Sequence, residues 1–348
     1  MKVLIIRFSA IGDIVLASPA IRCLRKSFPD AEIHFLTKKS FKAVTEANPY
    51  VNRFHYYDKS VKELLPELKQ ASFDYIIDLQ NNGRSLRIKN ALPAKAYTIN
   101  KLNIQKFLLT TFRLDFMPKR HITQRSLDVI RKIGAEDDGL GLDYFVPAVD
   151  EVNWTILPVT HQQGYVAIVI GASYPTKKMP VHKLKELCTK LPFPVVLLGG
   201  KEEIEEGEQI ASVDPAKVFN GCGKFNLNQS ADLVRKSTLV ISHDTGLQYV
   251  ASAFQKPTFA IWGSTSPKLD VEPYYGSSFQ NTGHLPIYEN IQVPGLKCQP
   301  CSKYGNRKCP LGHFNCMEKQ NIDLIVAKVQ AKLSDLQVFL PKHRTEAS

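Results

Sequence analysis

The side chains best suited to chemistry lie in four short polar turns, each just after an apolar segment. The fourth turn opens the stretch HDTGLQYVASAFQKPTFAIWGSTSP at residues 243–267. Here Asp244, Thr245 and Gly246 stand at the start of an apolar helix, whose free N–H groups attract phosphate. Because a carboxylate repels phosphate, Asp244 is better suited to a backbone amide or a sugar hydroxyl. The hydroxyl-rich turn at 263–267 adds donors nearby, so the pattern favours a phosphorylated ligand that also carries hydroxyl groups.

The first turn, SAIGD at residues 9–13, lies just after the apolar run VLII. Gly12 permits a tight turn at this point. Asp13 then stands at a helix start, where a carboxylate is a strongly preferred N-cap. The same carboxylate would serve as a general base at the mouth of a ligand cleft. Taken alone, this turn favours the capping role.

The second turn, GASYPTKKMP at residues 171–180, combines small residues with hydroxyl and ammonium groups. Small residues let a ligand approach the backbone, and Ser173 and Thr176 offer hydroxyls. Lys177 or Lys178 offers a positive point charge. The set suits a diphosphate beside a helix N-terminus, and an ordinary turn with solvated lysines is an equally good interpretation.

The third turn is GGKEE at residues 199–203. Its acids, Glu202 and Glu203, could accept hydrogen bonds from a ribose or could interact with the dipole of the following helix, and the two interpretations carry equal weight. No G-x-G-x-x-G follows the first strand, and neither G-x-x-x-x-G-K-[ST] nor G-x-S-x-G occurs. The simple dinucleotide fingerprint, the P-loop and the serine-hydrolase elbow are therefore excluded.

The elements that must position these turns are short apolar runs that alternate with helical patterns. Buried strands are predicted at 3–6, 33–36, 75–79, 165–170, 195–199, 239–242 and 259–262. Helical spacing predicts helices at 20–28, 61–70, 125–133, 181–190, 228–236, 246–254 and 321–335. This alternation is typical of parallel sheets with helices on both faces, which bind ligands at the carboxyl ends of their strands.

The chain of 348 residues suits two domains rather than one. The stretch FVPAVDEVNWTILPVTHQQG at 145–164 has two prolines and little periodicity, so we interpret it as a linker between two doubly wound domains. The predicted domains are 1–155 and 164–320. A C-terminal helix and tail at 321–348 could return to the first domain.

The composition, 44% hydrophobic and 22% charged, is that of a globular protein. No run of 18 apolar residues occurs, which predicts no membrane-spanning helix. The N-terminus MKVLIIRFSAIGD does not match a signal peptide, because its apolar stretch is short and Arg7 and Asp13 follow at once. We therefore expect a cytoplasmic protein.

The net charge of +12 is concentrated in residues 81–125. The only acid in this segment is Asp115, and its ten basic residues are Arg84, Arg87, Lys89, Lys95, Lys101, Lys106, Arg113, Lys119, Arg120 and Arg125. Such an excess favours an anionic partner (a phosphorylated lipid surface, an acidic saccharide or a nucleic acid) slightly over a solvated face.

Several of the turns match one family together. The opening MKVLIIRFSAIGDIVLASPAIRCLRKSFPDAEI, with Gly12-Asp13 and Pro19-Ala20, resembles glycosyltransferase family 9, the bacterial heptosyltransferases of lipopolysaccharide inner-core assembly. Residues 243–267 resemble the family's Asp-Thr-Gly-Leu signature, with its Lys-Pro strand and Gly-x-Thr-Ser-Pro turn. GASYPTKKMP is similar to the family's donor-phosphate turn. The resemblance covers nearly the whole chain.

The resemblance implies a GT-B architecture, in which two Rossmann-like, doubly wound parallel-sheet domains face each other across a cleft. It implies an inverting, metal-independent transfer of a sugar, typically heptose from ADP-heptose, to a lipopolysaccharide core or related saccharide. By resemblance Asp13 is the general base and Lys177 neutralises the leaving diphosphate. Two positions depart from the family pattern, because Tyr249 replaces a common His and Met179 replaces a Trp.

The resemblance also assigns ligand contacts and partners. The implied donor-binding residues are Ser173, Glu202 or Glu203, Asp244, Thr245, Gly246 and Leu247. Acceptor contacts are expected on the first domain, at Ser9, Gly12, Arg84, Lys101 and Arg125. The expected partners are the nucleotide-sugar donor, an anionic lipid-linked saccharide and the inner-membrane surface, with no cofactor and no nucleic acid.

Four of the seven cysteines fall within residues 298–316. Cys298 and Cys301 are spaced as in a zinc site, but six residues separate Cys309 from Cys316 where a second zinc-binding pair usually has two. A disulfide is not expected in a reducing cytosol. Similar segments occur in the family, so a packed structural loop is favoured over zinc, and any metal here would be structural.

Two alternatives to the transferase remain. A nucleotide-sugar epimerase of the same architecture would need no saccharide acceptor. A basic nucleic-acid-binding protein with a zinc knuckle would explain the charge and the cysteines, but not the four polar turns, and its binding would depend on salt.

Overall fold

The computed structural model describes residues 1–281 and 283–336. It contains two parallel sheets. The first has the order β3-β2-β1-β4-β5 and the second the order β11-β10-β9-β6-β7-β8. The strands are β1 Lys2–Ile6, β2 Glu32–Lys38, β3 Arg53–Tyr57, β4 Tyr75–Asp78, β5 Lys95–Thr98, β6 Val166–Val169, β7 Val195–Leu198, β8 Val218–Asn220, β9 Leu239–His243, β10 Thr258–Ile261 and β11 Tyr288–Ile291.

Helices connect successive strands and cover the sheets. They are α1 Ile11–Val15, α2 Ser18–Ser27, α3 Lys42–Thr45, α4 Leu65–Ala71, α5 Gly83–Ala91, α6 Asn103–Phe112, α7 Ile122–Arg131, α8 Val181–Lys190, α9 Ile204–Ala211, α10 Leu227–Lys236, α11 Gly246–Ala253, α12 Asn315–Glu318 and α13 Ile322–Asp335. Among the described residues, no helix has the length and apolarity needed to cross a bilayer.

All seven predicted strands and all seven predicted helices are present, with small shifts at their ends. The sequence missed four strands, β3, β5, β8 and β11, and these are the edges of the two sheets. An edge strand has solvent on one side, so it does not need the continuous apolar run that marks a central strand. In β5, for example, the first two residues are exposed and the last two are half-buried.

Residues on the inner faces of both sheets pack into one shared hydrophobic cluster. In β1, Val3 and Ile5 pack into a cluster that also contains Ala167 and Val169 of β6, whereas Leu4 and Ile6 face a separate core on the outer side of the first sheet. Since the inner layers of both domains meet in the same cluster, the turns at the strand ends are held in fixed relation to each other.

The region between the sheets has no strand and no α-helix over residues 145–164, as the linker interpretation expected. The domain limits 1–155 and 164–320 themselves stay a prediction. The suggested return of the C-terminal helix to the first domain is wrong for its described part. In α13, Ile325, Val329 and Leu333 pack in the core of the second sheet with Leu184 and Leu187 of α8, because that is where its apolar face finds a partner.

Candidate active site

Two glycines bring the first and fourth turns together. A Cβ on Gly12 would lie 2.7 Å from the Tyr249 ring, and a Cβ on Gly246 would lie 2.6 Å from Ile11 Cγ2. Only residues without side chains allow α1 and α11 to approach so closely. The N-termini of a helix from each domain therefore meet at one place.

A cleft of about 460 Å³ opens at this meeting point. It is lined by nine of the residues that the sequence singled out, namely Ser9, Gly12, Asp13, Lys101, Ser173, Lys177, Asp244, Thr245 and Gly246. Among the described residues, its lining includes five cationic side chains, Arg7, Lys101, Lys106, Lys177 and Lys303, but only two carboxylates, Asp13 and Asp244. This imbalance suits anionic ligands.

Asp13 is the third residue of α1 and not its N-cap, which is Ala10, so the predicted capping position is wrong, while the role of general base stays a prediction. From this position its Oδ2 reaches back and accepts a hydrogen bond from the backbone N–H of Ala10 at 3.1 Å, as the N3 residue of a capping box does. Its Oδ1 pairs with the guanidinium of Arg7, which is itself buried and donates to the carbonyl of Leu79. The Asp13 side chain remains 42% exposed in the cleft, so a ligand hydroxyl can reach it.

Lys177 and Asp244 form an ion pair on the opposite wall, with 2.7 Å between Nζ and Oδ2. Thr265 donates its hydroxyl to the same oxygen at 2.8 Å. The hydroxyl of Tyr249 lies 3.4 Å from Oδ1 and donates to the carbonyl of Val271 at 2.7 Å. Burial raises the pKa of Tyr249 well above its ordinary value, so this phenol stays neutral beside Asp244. Asp244 thus holds the Lys177 ammonium in place.

The cysteine-rich segment ties the second turn to the turn after β10. The backbone N–H of Asn306 donates to Thr176 Oγ1 at 2.7 Å, and Thr176 Oγ1 lies 2.8 Å from Ser264 Oγ. The backbone N–H of Cys301 donates to the Ser264 carbonyl at 2.9 Å. Through these bonds the segment also places Lys303 and Tyr304 in the cleft, a role that the sequence did not predict.

The four clustered thiols do not assemble into a metal-ligand set in this structure. Across residues 1–281 and 283–336, they form no group of three or more ligand atoms within 4.8 Å of one another. The Sγ of Cys298 lies 3.9 Å from His313 Nε2. Burial raises the pKa of Cys301 and of Cys316. The preference for a packed loop over a zinc site stays a prediction.

Two predicted donor residues do not line the cleft. Glu202 is exposed, and it is Glu203 that turns inward, where Oε2 accepts from the Gly200 N–H at 2.8 Å and Oε1 lies 3.3 Å from Lys178 Nζ. Leu247 packs against the shared core. Helical rotation aims the side chain of Leu247 away from the cleft, although it lies in the first turn of α11.

Two predicted acceptor residues, Arg84 and Arg125, do not line this cleft either, and their role in acceptor binding stays a prediction. Arg84 lies over the Phe8 ring and donates to the Tyr57 hydroxyl at 3.1 Å, outside the cleft. Arg125 is buried, and it donates to the carbonyls of Arg120 and Asn100 at 3.2 and 2.9 Å. These two hydrogen bonds join the segments before α6 and before α7, whereas the Nη2 of Arg125 is buried without a hydrogen-bond partner among the described residues.

Lys106 was noted in the sequence only as part of the basic segment, but it proves to be a cleft residue. It makes no ion pair with the described residues. Burial and the nearby Arg125 lower the pKa of its ammonium to about 8, and Asp13 and Asp270 offset part of that decrease. A half-buried cation without a carboxylate partner among the described residues is poised for an anionic ligand.

Replacing Lys106 with methionine is expected to stabilise the free protein. The folded-state pKa of about 8 lies below the ordinary value of 10.5, so the half-buried charge costs stability at neutral pH, and this cost declines as the pH rises from 8 to 10.5. Lys106→Met should raise the free energy of unfolding by about 1–2 kcal/mol at pH 7, and by less at pH 10. Urea denaturation at both pH values measures the difference. Lys62→Met, at an exposed lysine, is the control, and a gain at Lys106 that grows with pH would contradict the assignment.

Two Rossmann-like domains with a site between them define the GT-B class of glycosyltransferase folds. The sequence profile of glycosyltransferase family 9 (heptosyltransferase) matches residues 61–294, and the chain belongs to this family. It is 23% identical over 320 residues to lipopolysaccharide heptosyltransferase 1 of Campylobacter coli, covering 82% of this chain and 92% of that one.

Solved structures show the same fold. The structure of Escherichia coli ADP-heptose lipopolysaccharide heptosyltransferase II aligns with a TM-score of 0.71 at 18% identity, covering 97% of this chain and 100% of that one. An E. coli heptosyltransferase solved with ADP aligns with a TM-score of 0.68 at 18% identity, covering 95% and 99% of the two chains.

Proposed function

We propose that this protein transfers heptose from ADP-heptose to an anionic saccharide of the lipopolysaccharide core, with inversion at the anomeric carbon. The observation that carries the proposal is that Asp13 of the first domain and Lys177 of the second domain line the same cleft. The relatives of this protein are heptosyltransferases, and the solved structures with a similar fold include one bound to ADP.

On the donor side, the diphosphate lies between Lys177 and the N-terminus of α11. The free N–H groups at that terminus and the Lys177 ammonium both stabilise phosphate charge. When the glycosidic bond breaks, its electron pair passes to the β-phosphate oxygen of ADP, and the charge that develops there is greatest in the transition state. Ser173 and Thr245 line the same wall, with hydroxyls for the diphosphate or the sugar.

On the acceptor side, Asp13 removes the proton from the attacking hydroxyl. The deprotonated oxygen then forms a bond to the anomeric carbon on the face opposite the departing diphosphate, through a transition state that resembles an oxocarbenium ion. Arg7 orients the Asp13 carboxylate through their ion pair. Because Lys177 supplies the cation that the leaving group needs, the proposed reaction requires no metal, and enzyme treated with a chelator should keep its activity.

The acceptor is anionic in this proposal. Lys101, Lys106 and Lys303 line the cleft and make no ion pair with the described residues. Phosphate or acid-sugar groups of a lipid-linked core would neutralise these ammonium groups as the acceptor binds. A cytoplasmic enzyme at the inner face of the inner membrane would meet such an acceptor.

The test is calorimetric titration of the protein with ADP, UDP, GDP and CMP. We expect ADP to bind and the other nucleotides to bind at least about tenfold more weakly, since the proposed donor carries adenine. A preference for UDP would keep the sugar transfer but change the donor. Binding of no nucleotide, with salt-dependent binding to an oligonucleotide, would overturn the proposal.

A second assay separates transfer from epimerisation. With ADP-heptose and no acceptor, a transferase should leave the donor intact, apart from slow hydrolysis. Rapid change of the donor at a sugar stereocentre without any acceptor would favour the epimerase.

A further inference from the structure

Exposed apolar side chains lie on α6 and on the segment that follows it. Within the helix, Ile104, Phe107 and Phe112 are 73%, 55% and 59% exposed, and beyond its end Leu114 and Phe116 are 49% and 62% exposed. The rings of Phe107 and Phe112 lie 5.8 Å apart, edge to face. We call these five residues the α6 apolar face. Large apolar residues clustered on a surface mark a place that binds a partner.

The inner side of the same helix is built into the site. Leu109 is buried with Met117 and with Leu269 of the second domain, and Lys106 lines the cleft. Therefore α6 is a wall that has the cleft on one side and the apolar face on the other. A ligand that is anchored outside the protein, next to the α6 apolar face, would extend past α6 into the cleft. Its reacting end would then lie within reach of Lys106.

The flanks of the α6 apolar face are basic. Arg113 and Lys119 are exposed, and Arg113 Nε donates to the carbonyl of Lys297 at 3.2 Å, which places the exposed Lys297 of the second domain beside the helix. Within the described chain none of the three forms an ion pair. The nearby acid, Asp115, accepts a hydrogen bond from the backbone N–H of Met117 at 3.2 Å.

We infer that the α6 apolar face docks on an anionic lipid bilayer. Phenylalanine and isoleucine side chains would enter the boundary between headgroups and acyl chains, and the basic flanks would meet lipid phosphates. A second copy of the chain fits less well, because apposed faces would bring Arg113, Lys119 and Lys297 close to their own counterparts. The inference of lipid binding depends only on the residues of this surface. The further step, in which the surface brings a lipid-linked acceptor to Lys106, rests on the proposed function.

The test is co-sedimentation with two kinds of vesicle, phosphatidylcholine alone and phosphatidylcholine with about one third phosphatidylglycerol. We expect binding to the anionic vesicles that weakens with added salt, and little binding to the neutral ones. The double variant Phe107→Ser/Phe112→Ser should bind about tenfold more weakly or worse, since two aromatic anchors are lost. The matched control is Val149→Ser/Val159→Ser, at residues that are 89% and 76% exposed in the interdomain segment.

ADP titration of each variant checks that it is folded and keeps the two questions apart. Unchanged ADP affinity with lost vesicle binding supports the inference. Equal vesicle binding by the Phe107/Phe112 variant and the wild type would overturn it. So would a wild-type dimer that the same variant converts to monomer, because the face would then be covered by a second copy. Vesicle binding without any ADP binding would leave the inference standing and overturn the proposed function.

Discussion

Asp13→Asn is expected to lower turnover by about 100-fold or more while ADP affinity stays within about threefold of wild type. The asparagine amide oxygen can still accept the Ala10 N–H, so the start of α1 keeps its cap. What the variant loses is the basic oxygen that takes the acceptor proton, together with the negative charge that pairs with Arg7. Steady-state kinetics with saturating donor and acceptor, together with ADP titration, measure the two quantities.

The matched control for this variant is Asp58→Asn, an exposed carboxylate in the same domain. It should leave both turnover and ADP affinity unchanged. If Asp13→Asn weakened ADP binding as steeply as it slowed turnover, Asp13 would be a donor contact or a structural cap and not the base.

Lys177→Ala is expected to lower the rate by about 100-fold and to weaken ADP binding by about tenfold. The rate falls because the leaving diphosphate loses its cation. The affinity falls further than the loss of one contact requires, because Asp244, which pairs with Lys177 at 2.7 Å, is left facing the phosphates with an uncompensated charge. Single-turnover kinetics and calorimetry separate the two effects.

Two variants make this prediction specific. Adding Asp244→Asn to Lys177→Ala should restore part of the ADP affinity but not the rate, because it removes the repulsion without supplying a cation. Lys178→Ala is the control, since Lys178 pairs with Glu203 and Glu206 away from the cleft. Equal losses in the Lys178 and Lys177 variants would show that the turn as a whole, and not the Lys177 ammonium, is required.

Local patterns in the sequence located the centre of each sheet and the turns that form the site. Continuous apolar runs identify strands buried on both faces, and a polar turn followed by helical spacing identifies a helix start at a strand's carboxyl end. That information placed Asp13, Lys177 and Asp244, and all three line one cleft. The glycines of the first and fourth turns also stood out, although their contact across the domains did not.

The sequence failed where a residue's role depends on its environment rather than its neighbours in the chain. No local feature of the sequence distinguishes the ten basic residues between 81 and 125 from one another. In the structure, however, Lys106 lines the cleft, Arg125 is buried and donates to backbone carbonyls, and Arg84 lies over Phe8. In the cysteine-rich segment, the sequence drew attention to the four thiols. It contained no pattern that would predict Lys303 and Tyr304 as cleft residues.

By itself, then, the sequence determined two parallel α/β domains, their central strands and the chemistry of the four turns. These features are local, because a strand buried on both faces and a helix start each produce a recognisable pattern within a few residues. Only the tertiary structure decided the four edge strands, the docking of α13 on the second domain, and which cations face the ligand. Those features arise from contacts between residues far apart in the chain, such as Gly12 with Tyr249 or Thr176 with Asn306, and the packing that creates them is not encoded in any local period.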